Sequence, residues 1–132
     1  MPRKVDRDTW PSFLAKAVEF LGAARQSHVA KHWNACVSAA VHAGILACDT
    51  ITVGRTGARN AGAHEEIVPL LKTALADEAK EAAAQQRRIE RLLSAKNLAE
   101  YEGRSLGARD AATAVIDAER LVEFAQTQSR RF

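Results

Sequence analysis

Apolar residues recur at three- and four-residue steps through most of this 132-residue chain, the period of helices that each bury one face. Phe13, Ala17, Phe20, Leu21 and Ala24 keep that step after Pro11 and Ser12, which predicts a first helix to about His28. From about Lys31 to Thr52 the stripe is Trp33, Val37, Ala40, Val41, Gly44, Ile45, Cys48 and Ile51. Small residues crowd this segment, so other helices can approach closely, and it is expected at the centre of a bundle.

The periodicity then stops. V-G-R-T-G-A-R-N-A-G-A-H-E-E has three glycines in nine residues and reads as a loop. A third helix starts between His64 and Ile67, with Pro69 in its first turn, where a missing N–H costs nothing. Its stripe is Ile67, Leu70, Leu71, Ala74 and Leu75. Residues 76–86 are nearly all Ala, Glu, Lys and Gln, and carry no signal that places the break before a fourth helix. That helix bears Ile89, Leu92, Leu93 and Leu98 and ends near Gly103. Ser105 is the expected N-cap of a fifth, marked by Ala111, Val115, Ala118, Leu121, Val122 and Ala125. The reading is all-α: one domain over residues 1–132, core about 12–126, of about five mostly antiparallel helices.

Composition agrees, being rich in Ala, Leu, Glu and Arg with 5% aromatics. No apolar run is read as approaching the roughly 20 residues of a membrane span. The charged start M-P-R-K-V-D-R-D has no apolar signal core, so a cytoplasmic location is expected. Cys36 and Cys48 share one helix about 18 Å apart, beyond disulfide reach. They lack the Cys-x-x-Cys or His-x-x-x-His spacing of a metal site, and no metal or cofactor is expected. A net charge of +3 is too mild to announce a nucleic-acid binder by itself.

Three segments together resemble a HEPN domain, a family of small helical bundles found beside nucleotidyltransferases, in toxin–antitoxin pairs and in defence ribonucleases. They are H-W-N-A-C-V-S-A-A-V-H-A-G-I-L-A, then A-H-E-E-I-V-P-L-L, and L-L-S-A-K-N-L-A-E-Y followed by S-L-G-A-R-D-A-A and A-E-R-L-V-E-F. The similarity covers about Ser12 to Gln126. It implies a homodimer joined across its cleft side, with a nucleotidyltransferase or a toxin or antitoxin as partner, and RNA or a nucleotide as ligand. Ribonuclease members carry Arg, four to six residues, then His; at the matching place this chain has Lys96, Asn97 and Tyr101. Lysine is a point charge that cannot grip phosphate bidentately, and tyrosine, with a pKa of about 10, is a poor acid or base at neutral pH. The resemblance therefore implies a binding protein with a degenerate active cleft.

Two segments carry candidate chemistry. Arg59-Asn60-Ala61-Gly62-Ala63-His64 satisfies Arg-x4-His literally, and would make Arg59 a phosphate holder and His64 a proton carrier in a metal-independent ribonuclease. It lies before the third helix, away from the family position, and a plain surface loop is favoured. The same loop has a more general reading: Gly54, Gly57 and Gly62 would turn amides toward an anion, with Arg55 and Arg59 supplying charge. Lys96, Asn97 and Tyr101 are the second group of candidate nucleotide or RNA contacts, or a ribonuclease site in altered form, against a structural reading in which Tyr101 packs its ring into the bundle and Lys96 and Glu100 are a solvated pair. His42 is read as a core or interface histidine beside the apolar stripe. A helical protein–protein adaptor with no nucleotide ligand remains an alternative.

Overall fold

A computed structural model describes residues 1–103 and 105–132, the side chain of Tyr101 excepted. The helices are α1 (Trp10–Val29), α2 (Trp33–Thr56), α3 (Ile67–Ala74), α4 (Ala79–Tyr101) and α5 (Ala108–Ser129). Two short strands, β1 (Arg3–Lys4) and β2 (Ala58–Arg59), pair antiparallel with Arg3 opposite Arg59. Single 3-10 turns occupy Arg7–Thr9 and His64–Glu66. The fold is an all-α bundle.

α2 is its centre and packs against the other four helices. Ala40, Ala43, Gly44 and Ala47 are buried along it, so no large side chain holds its neighbours away. At Gly44 a Cβ would stand 2.5 Å from Leu92 Cδ1 on α4 and 3.3 Å from Leu121 Cδ1 on α5. Length and hydropathy alone would let α2 cross a membrane, contrary to the expectation from its sequence, but 72% of its apolar stretch is buried inside the bundle. Cys36 and Cys48 are buried free thiols on this helix. Burial raises the pKa of both, and the charge of Asp49 adds to the rise at Cys48.

Several boundaries differ from the sequence reading for local reasons. α2 runs on to Thr56, because Gly54 is helical and covered by the ring of Phe132, which leaves no room for a side chain there. Gly57, at φ 69°, then ends the helix as a left-handed cap, its N–H donating to Val53 O. The unplaced break between α3 and α4 falls at residues 75–78, where Leu75 N–H bonds Leu71 O and Glu78 N–H bonds Leu75 O. α5 starts after Gly107 and not at Ser105: the Asp110 carboxylate accepts the Gly107 N–H at 2.9 Å and closes the first turn.

The far end of the bundle absorbs Arg55. Its guanidinium donates to Gln128 Oε1 at 2.6 and 3.1 Å, to Glu78 Oε2 at 2.6 Å and to Asp77 Oδ1 at 3.1 Å. α2, the α3–α4 turn and α5 are thereby tied together. Phe132 closes this end, its ring edge-on to Trp10 with centroids 5.3 Å apart.

Candidate functional site

The loop after α2 is held from both sides before it presents any chemistry. The N-terminal segment clamps it through β1–β2, through Val5 N–H to Gly57 O at 2.9 Å, and through Arg7 Nε to Gly54 O at 3.0 Å. Inside the loop, Asn60 Oδ1 accepts the Gly62 N–H at 3.0 Å and Glu66 Oε1 accepts the Ala61 N–H at 3.1 Å. Gly62, at φ 104°, makes the turn that this local bonding needs. These bonds overturn the expected amide cradle, since the N–H groups of Gly57, Ala61 and Gly62 are already spent and Gly54 is helical. The glycine amides of this segment are therefore not free to turn toward an anion.

Beneath the loop lies a carboxylate that the sequence reading passed over. Asp49, on α2, is 2% exposed and accepts a hydrogen bond from Asn60 Nδ2 at 2.9 Å. Arg59 Nη2 stands 3.9 Å from its second oxygen, near enough for attraction and too far for a hydrogen bond. That oxygen and Arg59 Nε are both buried without a hydrogen-bond partner. Burial pushes the Asp49 carboxyl up to about 6, against the opposing pull of Arg59 and Asn60. The guanidinium also lies over the Phe13 ring, 5.1 Å from its centroid. Arg59 is thus largely occupied in covering a buried charge. A lone acid in the otherwise apolar middle of α2 is the signal that could have revealed Asp49.

Above this pair opens a cleft of about 390 Å³, reached by Lys16 from α1, His42 and Asp49 from α2, Arg59 and His64 from the loop, and Lys96 from α4. The two candidate segments, 59–64 and the family-position residue Lys96, therefore meet at one place. His64 lies near Lys96: burial and that neighbouring charge lower its pKa, with Glu100 and Glu65 pulling the other way. The imidazole is accordingly neutral at pH 7. Lys96 Nζ is 3.5 Å from Glu100 Oε2, the pair anticipated from their spacing. Asn97 lines a neighbouring concavity with His64 and Lys96, and Tyr101 falls outside the described side chains. Arg55 is absent from the cleft, being occupied at the far end of the bundle.

Phe20 differs from its sequence reading, and the exposure of His42 removes the core alternative of its own. Phe20, placed in the buried stripe of α1, is 38% exposed on the cleft wall. It stacks on the exposed His42 ring, centroids 5.2 Å apart and planes 20° from parallel. His42 Nδ1 lies 2.8 Å from Ser38 O, a carbonyl that can only accept, so the ring nitrogen on this side donates. Among the described residues no group of three or more His, Cys, Asp or Glu side chains is arranged to hold a metal ion. The arrangement offers a small anion the cations of Lys16, Arg59 and Lys96 beside the rings of His42 and His64. Comparison with protein-family models, curated proteins and solved structures finds no match to this chain.

Proposed function

We propose that this chain is a catalytically degenerate, HEPN-like binding protein that holds a phosphoryl group of a nucleotide or RNA in the Arg59–Lys96 cleft. The observation that carries this is the convergence of Lys16, Arg59, His64 and Lys96 from separate segments on one concavity. Lys96 stands where the resembled family keeps its arginine, so the cleft keeps a cation while losing the bidentate grip. The resemblance further implies a homodimer, with a nucleotidyltransferase or a toxin or antitoxin as partner protein.

Titration with inorganic phosphate, followed by phosphorus NMR at low salt, tests the binding. Affinity should fall as salt rises. Lys96→Ala should weaken binding by roughly 1.5–3 kcal/mol, the range for a charge-assisted hydrogen bond. Lys72→Ala, on exposed α3 surface, should change it little. No binding at low salt, or equal losses in the two variants, refutes the reading.

One observation favours a ribonuclease instead: His64 is neutral and shares the cleft with Arg59 and Lys96. Against it, a phosphate would have to draw Arg59 away from Asp49 and Phe13. Purified protein should cleave single-stranded RNA no faster than an Arg59→Ala/His64→Ala control. Cleavage abolished by His64→Ala in a folded protein establishes the enzyme.

A further inference from the structure

A second hollow, of about 330 Å³, lies beside the cleft between α2, α4 and the start of the α4–α5 connection. Its apolar lining is Val37 and Val41 from α2, Ala99 from α4 and Leu106 from the connection. Leu106 is fixed there, 4% exposed, with its N–H donating to Asn34 Oδ1 at 3.0 Å. Lys96 and His42 line both this slot and the basic cleft, so the two hollows share a wall. One side of that wall is mainly apolar, and the other carries Lys16, Arg59 and His64, with the Asp49 carboxylate beneath Arg59.

We propose that the two hollows form one divided site for a small aryl phosphate: a compact ring in the slot and a phosphoryl group beside Lys96 in the cleft. The inference rests on the phosphate reading of the cleft and adds to it the body of the ligand. The slot volume is at the lower end for ligand pockets, which suits one ring. Charge complementarity places the ends: Lys96 at the shared wall attracts the anion, and the carboxylate on the slot side, Glu100, repels it toward the cleft. Glu100 is 53% exposed, so its bond to Lys96 can be given up to solvent when phosphate takes the ammonium group. His42, steadied by Ser38 and by Phe20, stands at the junction, where its ring meets the ligand between ring and phosphate.

The test compares phenyl phosphate with inorganic phosphate by calorimetry on the intact chain. Burial of the ring should make phenyl phosphate bind about tenfold more tightly. Ala99→Leu fills the slot from α4, and Ser38→Leu narrows it from an exposed position on α2. Either substitution should abolish that advantage while inorganic phosphate binds as before; the exposed site at Ser38 guards against a folding defect at Ala99. Equal affinity for the two probes on the unaltered protein overturns the divided site and leaves the phosphate cleft standing. A tenfold advantage that survives both substitutions also overturns it, because the ring then lies elsewhere. Failure of both probes to bind refutes the phosphate reading and this inference together.

Discussion

Replacing Asp49 by Asn keeps the shape of the buried side chain and removes its charge. The structure fixes what that charge costs. An Asp carboxyl ionises near 3.8 when exposed, and burial on α2 pushes Asp49 up to about 6. Between those values the folded protein holds a proton that the unfolded chain has released. The contribution of Asp49 to stability is therefore most favourable below about pH 4, falls as pH rises toward 6, and stays lower above it. At about 1.4 kcal/mol per pH unit, the gap is worth roughly 3 kcal/mol at pH 7.5 and roughly 1 kcal/mol at pH 4.5. Asn retains an acceptor for Asn60 Nδ2, and Arg59, 31% exposed, can turn toward water when its partner is gone. Urea unfolding of both proteins at pH 4.5 and 7.5, read by Trp10 and Trp33 fluorescence, measures the effect. The stability of Asp49→Asn relative to wild type should rise by about 2 kcal/mol between the two pH values. A difference that is the same at both pH values refutes the reasoning, since Asp49 would then ionise like an exposed carboxylate.

Three further outcomes are expected. Arg91→Met should destabilise by about 1–3 kcal/mol, because Asp117, 4% exposed, loses both its hydrogen bonds of 2.6 and 2.9 Å from that guanidinium; an unchanged thermal midpoint refutes this. Gly44→Ala should lower stability by roughly 1 kcal/mol or more against the Leu92 and Leu121 methyls, whereas Gly22→Ala, with nothing within 4 Å, should hold or gain stability through helix propensity. Equal effects at the two glycines would show that close packing on α2 is not what requires Gly44. Light scattering at micromolar concentration should give about twice the 14.3 kDa chain mass, and a monomer across the accessible range removes the homodimer.

The number of helices and the central place of α2 were legible in the sequence, because a helix that buries one face must repeat its apolar residues near every 3.6 positions. Small residues at Ala40, Gly44 and Ala47 announce close neighbours without naming them. The ends of helices were less legible: Gly54 carries the composition of a loop, and only Phe132, folded back from the other end of the chain, makes a helical glycine the residue that fits. Arg55 and Arg59 are equivalent as sequence, two arginines in one glycine-rich stretch. Their fates diverge because the chain bends at Gly57, leaving Arg55 facing Glu78 and Gln128 and Arg59 over Asp49 and Phe13. The meeting of Lys96 with His64 and the burial of Asp49 under Arg59 were likewise decided by tertiary packing. Periodicity reports which face of a helix avoids water, but the charges that share a cleft come from segments distant in the chain, and their encounter depends on how those faces dock.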